Sequence, residues 1–266
     1  MVYTAYRWKG RRKLYMALTK YIEAINTNGS IVINDDFKNL HLRKETSISS
    51  AQNDADIHPL NLPNDRNKWH IGKVNGKYFA VLGYQLETEE EMLGFYGNDF
   101  PVHAYKFGKS YFVHADLSSC GDYGAAINKL SQLRFCQFGV SFSNNAHGQG
   151  VQVFNASGEC IFDSNKKYLS VIDFHLDVLN TDVKAEQVVQ NVRELTYNSA
   201  CIFIPMMLPE VFIPISTYFS APFFLSFAFT SNNSVKLSYV LSGRPLQEQV
   251  SCFVKITESF IVAKRQ

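Results

Sequence analysis

The chain has 266 residues, 46% hydrophobic and 19% charged. That balance excludes a disordered polymer and is long enough to bury a sizeable core. Net charge is +2, which excludes a uniformly polybasic surface, so no nucleic-acid partner is expected.

Charge is concentrated at the start of the chain. Residues 1–20 hold Arg7, Lys9, Arg11, Arg12, Lys13 and Lys20 and no acid, leaving the remainder net negative. Trp8 and three tyrosines interleave with these cations. The stretch reads either as a solvated basic tail before the first domain or as a basic N-terminal arm that docks on the acidic surface of a neighbouring copy. The residues that follow, 14–25, contain Lys20 and Glu23 and lack the apolar core of a secretion signal, so a cytosolic start is expected.

Beyond the arm, most segments read as strands. Aromatic residues are 14% of the chain and suit a pleated, half-buried surface. Residues 30–34 and 40–42 flank the acidic turn Asp35-Asp36. Residues 45–70 are polar and turn-rich and read as a long surface loop. Residues 77–85 are dense in strand formers. A short helix is expected over 87–94, with Thr88 as cap and Gly94 as stop. Residues 101–106 and 110–115 form a hairpin about Gly108 and Lys109, a pair that suits a type II′ turn. That turn places Phe107 opposite Ser110 and His103 opposite His114. Another short helix is expected over 125–133. Strands follow at 135–142, 150–154, 160–163 and 169–174, then at 235–241 and 249–257. Residues 182–196 fit either a helix or a strand pair.

Residues 201–229 carry one charge, Glu210, and are long enough to span a membrane. Pro205, Pro209, Pro214 and Pro222 would break such a helix repeatedly. The segment reads as short buried strands joined by proline turns, and no transmembrane segment is expected.

Catalytic and metal patterns are sparse. Cys120, Cys136, Cys160, Cys201 and Cys252 are odd in number and widely spaced, unlike a disulfide framework or a zinc site. They read as reduced, mostly buried small hydrophobes. His103 and His114, opposed across a hairpin, have too few nearby carboxylates for a metal site. Asp54, Asp56 and His58 resemble an acid–base cluster, and Glu87, Glu89, Glu90 and Glu91 resemble a cation site; a solvated loop and a solvated helix start account for both more simply. There is no nucleophile elbow, phosphate loop, dinucleotide fingerprint or HExxH. No enzyme activity, metal or cofactor is expected. Trp8, Trp69, Tyr78, Tyr84, Phe95, Tyr96 and Tyr105 are candidate platforms for stacking on sugar rings.

The chain also carries an internal repeat. Residues 22–42 (IEAINTNGSIVINDDFKNLHL) align without a gap to 151–171 (VQVFNASGECIFDSNKKYLSV) at an offset of 129. Asn26 matches Asn155, Gly29 matches Gly158 and Leu40 matches Leu169. In each copy an apolar strand enters an Asn-x-x-Gly turn, a second strand returns to an Asx residue, and a third follows, which describes a meander. The expected fold class is mainly β: two β-sandwich-like (meander or Greek-key) units with few short helices. The division is a basic arm at 1–20, an N-terminal β domain at 21–136 and a C-terminal β domain at 137–266.

The run Gly150-Val151-Gln152-Val153-Phe154-Asn155-Ala156-Ser157-Gly158, continued by Phe162-Asp163-Ser164 and Tyr168-Leu169-Ser170-Val171-Ile172-Asp173, resembles a motif of small β-rich tail proteins of long-tailed bacteriophages and prophages. The resemblance implies a structural virion protein of the tail tip or fibre region, assembled in the host bacterial cytoplasm. Its partners would be copies of itself and neighbouring tail proteins, with host adsorption as a further role. The motif brings no catalytic residue with it. A carbohydrate-binding module that recognises a host surface glycan is the alternative of a different class, and a hydrolase of cell-wall or capsule glycans is a third.

Overall fold

A computed structural model describes residues 24–25, 32–33, 39–57, 63, 65–140, 150–154, 157–184, 192–206, 211–216, 219–241 and 251–265. The arm residues Arg7, Trp8, Lys9, Arg11, Arg12 and Lys13, and the turn residues Asn26, Gly29 and Asn155, lie outside this set. The described chain is mainly β. Its strands are β1 (Ala24–Ile25), β2 (Val32–Ile33), β3 (His41–Thr46), β4 (Ala51–Asn53), β5 (Trp69–Val74), β6 (Lys77–Gln85), β7 (Met92–Tyr96), β8 (Val102–Phe107) and β9 (Ser110–Leu117). After helix α1 (Tyr123–Leu130) come β10 (Arg134–Gly139), β11 (Gln152–Phe154), β12 (Cys160–Asp163), β13 (Val171–Lys184), β14 (Arg193–Thr196) and β15 (Cys201–Pro205). The last four are β16 (Val211–Ser216), β17 (Phe219–Ser231), β18 (Ser234–Leu241) and β19 (Ser251–Lys264).

Two large sheets dominate. The first runs β13-β19-β15-β7-β10-β3; the second runs β14-β18-β17-β8-β9-β6-β5-β4, with β16 added on β17. The sheets pack face to face. Trp69 of the second lies 6.2 Å from Phe135 of the first, and Phe227 of the second lies 4.5 Å from Phe203 of the first, centroid to centroid. The first sheet is buried on its other face as well, where Cys136, Phe138, Ile202, Ile204, Ile261 and Ala263 form a second cluster. Burial on both faces explains why 201–205 reads as an unbroken apolar run rather than an alternation.

The order of the first sheet, and that of the second without β5 and β4, read the same from either end. Take β3, β6, β7, β8, β9 and β10 as strands one to six of the first half, and β13, β14, β15, β17, β18 and β19 as those of the second. The first sheet then has one-six-three meeting three-six-one, and the core of the second has two-five-four meeting four-five-two. Equivalent strands meet antiparallel at both seams, Phe95 against Phe203 and Val102 against Phe227. An approximate two-fold axis normal to the sheets produces this pattern. Local bonds repeat too: Leu86 N donates to Lys109 O (2.7 Å), and Tyr197 N donates to Asn233 O (2.9 Å). Both halves therefore contribute to two continuous sheets, and the expected boundary after Cys136 falls inside β10.

The sequence repeat takes part in this symmetry. β1 pairs with β2 and β11 with β12, each as a separate two-stranded sheet. Ala24 faces Ile33, and Val153 faces Phe162, which is the same pair at the repeat offset. A bulge then sets Phe154 against Cys160, where the first copy sets Ile25 against Val32. The third strand does not complete a meander; β3 joins β10 and β13 joins β19. Leu40 and Leu42, and likewise Leu169, pack on the second cluster, which draws the chain away from the hairpin. His41 faces Tyr168 in an antiparallel bridge, with Leu169 N on Leu40 O (2.8 Å) and Leu42 N on Lys167 O (2.8 Å). That register sets the repeat equivalents Leu40 and Leu169 opposite each other. The edge strand β3 thus meets the segment that leads into β13.

Several local expectations need correction. Residues 87–94 form no helix: a turn-rich loop leads into β7, and Gly94 lies within that strand. A Cβ on Gly94 would sit 2.5 Å from Ile202 Cγ2, so Gly94 permits close strand approach rather than ending a helix. Residues 45–70 are not one surface loop, because β4 pairs in parallel with β5, and Trp69 and His70 are buried. Pro214 and Pro222 sit inside β16 and β17 rather than in turns. Among the described residues β16 pairs with β17 alone, and Pro222 precedes the residues that β18 pairs with, so neither proline removes a described ladder bond to a second neighbour. Residues 182–184 end β13, and β14 follows at 193. The expected helix after 125 is α1, capped by the Asp122 carboxylate, which accepts from Ala125 N. The Gly108 hairpin has the expected register, from Phe107 opposite Ser110 to His103 opposite His114, with φ +55° at Gly108. Cys136, Cys160 and Cys201 are buried thiols.

Candidate functional site

The singled-out side chains are first accounted for by structure. The His103 and His114 rings stack at 4.5 Å, and Phe79 stacks on His114 at 5.7 Å. Burial, with the neighbouring His114, holds His103 well below the usual histidine range; burial holds His114 at about 4. Two neutral, stacked imidazoles are wall rather than chelate. Among the described residues no group of three or more His, Cys, Asp or Glu side chains comes together to hold a metal.

Asp54 pairs with a histidine that the sequence did not single out. Its Oδ2 accepts from His70 Nδ1 at 2.8 Å, with the Gln52 amide 2.8 Å from the same nitrogen. Asp56 N donates to Asp54 Oδ1 (3.2 Å), and His58 lies outside the described residues. The hydrogen bond from His70 lowers the Asp54 carboxyl. Among the described residues, no nucleophile or other hydrogen-bond partner stands on the far nitrogen of His70. This dyad anchors the 51–54 strand-and-turn.

The four glutamates divide. Glu91 is 1% exposed. Its Oε2 accepts from the backbone N of Glu87 (2.7 Å) and Thr88 (3.2 Å) and from Gln137 Nε2 (2.9 Å), and Arg43 donates to its Oε1. Burial pushes the carboxyl up, but these donors outweigh it and hold it down. Arg43 also bridges to Glu87 at 2.8 Å, and Lys106 donates to Glu91 O at 2.9 Å. The cluster is a closed structural network around one buried carboxylate.

The tail-like run is likewise structural grammar. Asp163 Oδ1 accepts from Asn165 N (2.9 Å), the Tyr168 hydroxyl donates to Asp163 O (3.0 Å), and Tyr168 stacks on Phe162 at 5.1 Å. Gly158 has φ +79°. The hairpin also faces outward with apolar side chains: Val151 is 63% and Phe154 54% exposed.

Of the candidate sugar platforms, Trp69, Tyr84 and Phe95 are core residues, and Trp8 lies outside the described set. Tyr78 and Tyr105 are half-buried. Tyr96 is different, because it lines a cleft of about 370 Å³ between the β7–β8 loop (97–99) and the β17–β18 turn region (229–232). The Arg265 guanidinium lies over the Tyr96 ring at 4.5 Å, and the Tyr96 hydroxyl donates to Glu45. Asn98 is fully buried; its Nδ2 donates to Phe100 O (2.8 Å) and Phe227 O (3.2 Å), while its Oδ1 has no partner. Asp99 pairs with Lys129 at 3.2 Å. The sequence offered Tyr96 only. Asn98 and Arg265 come from separate halves of the chain and carry no motif.

No family model, curated protein or solved structure matches the chain. No helix among the described residues is long and apolar enough to cross a membrane.

Proposed function

We propose that the chain is a structural protein of a bacteriophage tail, in the tip or fibre region, that works by assembly with copies of itself and neighbouring tail proteins. The observation that carries this reading is where apolar surface is exposed. Among the described residues seven large hydrophobic side chains are exposed, and five of them, Val151, Phe154, Val171, Ile172 and Phe174, fall within 151–174. All of these but Phe174 fall in the run resembling tail proteins. Scattered exposed hydrophobes need no explanation, but a concentration in one segment marks an interaction surface. Within the segment, the Asp163 and Tyr168 groups bond to one another and to Asn165 N, which holds the turn between its strands. Its chemistry is surface complementarity: apolar side chains buried against a partner, with polar turns at the rim. The exposed apolar stretch serves adhesion, and the buried histidines and carboxylates serve the fold. The test is peptide mass spectrometry of tailed particles purified from a lysate of the strain that encodes the chain. The reading expects this protein to co-purify with tail components at constant ratio. Intact particles lacking it would overturn the virion assignment.

A further inference from the structure

The start of β13 combines an open strand edge with exposed apolar side chains. β13 ends the first sheet, runs for 14 residues, and among the described residues pairs with β19 alone. An edge strand presents a row of backbone donors and acceptors to any strand that comes beside it. β3, its equivalent at the other end of the sheet, has 6 residues, and its start is bonded to the segment 167–169. β13 has no such second neighbour among the described residues, and Val171, Ile172 and Phe174 on it are exposed.

The two faces of this edge differ. Val171 lies opposite Ala263 and Phe174 opposite Ile261, and both of these partners belong to the second cluster. Directly opposed side chains share a face, so the second cluster runs out at β13 in two exposed apolar side chains. On the other face the polar groups are engaged. Asp173 Oδ2 accepts from His175 Nε2 (2.8 Å) and from the Tyr197 hydroxyl (2.9 Å), and the His175 ring stacks on Phe260 at 4.5 Å. These contacts hold the strand in place before any partner arrives, which lowers the ordering cost of binding.

What fits is an extended strand with an apolar side chain facing Phe174, a donor facing Asp173 and an acceptor facing His175. β13 itself meets that description. Set two β13 strands antiparallel with Phe174 opposite Phe174. Asp173 of each copy then stands opposite His175 of the other, and across 171–177 no two like charges oppose. A two-fold axis through the Phe174 pair produces this register, and such an interface is isologous and closes as a dimer. The first sheet already contains the same operation, because the equivalent strands β7 and β15 pair antiparallel about the approximate two-fold at Phe95 and Phe203. We propose that two copies of the chain pair β13 on β13 about Phe174, joining their first sheets into one. This rests on the assembly reading above, and it names the partner as a second copy and the contact as a strand edge.

The test is sedimentation velocity of the full chain and of Phe174→Lys and Phe174→Glu, alone and in equal mixture, over roughly a hundredfold range of concentration around a micromolar Kd. Each variant alone sets like charges on the two-fold axis, whereas the mixture sets opposite ones. Phe174 is 55% exposed, so both variants should melt as the parent does. The expected result is a dimeric parent, each variant alone at monomer mass, and a mixture that is dimeric again. In the parent, hydrogen exchange of the amides of 173–177 should slow by about tenfold or more from the lowest to the highest concentration, with those of 41–46 in β3 unchanged. The proposal is overturned by a parent that stays monomeric, by variants that associate as the parent does, by a mixture no heavier than either variant alone, or by exchange at 173–177 that ignores concentration. Association that persists in both Phe174 variants but is lost in Val151→Ser/Phe154→Ser would sink the edge pairing and leave the assembly reading standing, with the hairpin as its interface.

Discussion

His41, His103 and His114 are all held uncharged by their surroundings. Burial is the main cause in each, reinforced at His41 by Lys166 and Arg43 and at His103 by His114. His41 and His114 are each lowered to about 4 from an ordinary 6.5. In the unfolded chain these groups take up protons as pH falls through 6.5, while the folded chain refuses them until about 4. The contribution of these three histidines to folding stability should therefore be constant above about pH 7 and fall between 6.5 and 4. One pKa unit corresponds to about 1.4 kcal/mol, so each such imidazole sets a loss of roughly 3 kcal/mol at the acid end. Urea unfolding midpoints measured from pH 7 to pH 4 should show this decline. The variant His114→Phe keeps the stack with Phe79 and His103 and should flatten the slope. An identical slope in variant and parent would mean that His114 does not titrate in this window.

The elements at the seam between the halves set the tightest steric limit. β7 and β15 meet at Phe95 and Phe203, and Gly94 faces Ile202 so closely that a Cβ would stand 2.5 Å from its Cγ2 and 3.1 Å from Ile204 Cγ1. Both contacts are β-branched side chains in the second cluster with little room to withdraw. Gly94→Ala is expected to cost about 1–3 kcal/mol by overpacking, read as a lower urea midpoint at unchanged slope. A variant as stable as the parent would mean that the seam yields. Gly94 also shows what was hard to read from sequence. The acids of 87–91 and a glycine at 94 look like helix start and stop, yet Glu91 turns inward to bond the backbone N–H groups of 87 and 88. Local charge cannot reveal that a carboxylate has a half-buried Arg43 and a buried Gln137 waiting in distant strands. The hairpin at Gly108 was legible to the residue, because turn chemistry fixes its register locally. The 45–70 stretch was not, since its parallel pairing to β5 is tertiary. The cleft escaped for the same reason: Asn98 and Arg265 are 167 positions apart and meet only through the seam.

At the scale of the molecule, the two halves share both sheets and one core. Phe95 and Phe135 from the first half pack with Phe203, Phe227 and Phe260 from the second. No sheet can lose one half without exposing the edge of the other. The described fold should therefore melt in a single cooperative transition, with calorimetric and van't Hoff enthalpies equal. Two resolved transitions would mean that the halves are energetically separate despite the shared sheets. The repeat at 22–42 and 151–171, with its equivalents Leu40 and Leu169 opposed, links sequence and architecture, and its second copy displays the apolar face on which the assembly reading stands. That claim is tested most directly by sedimentation velocity of the parent and of Val151→Ser/Phe154→Ser/Phe174→Ser over a range of concentrations. The three sites are more than half exposed, so the variant should keep its fold and circular-dichroism spectrum. The account predicts a parent that sediments heavier than its 30.2 kDa monomer and a variant that sediments at monomer mass. A parent that stays monomeric throughout, or a variant that associates as the parent does, would contradict it.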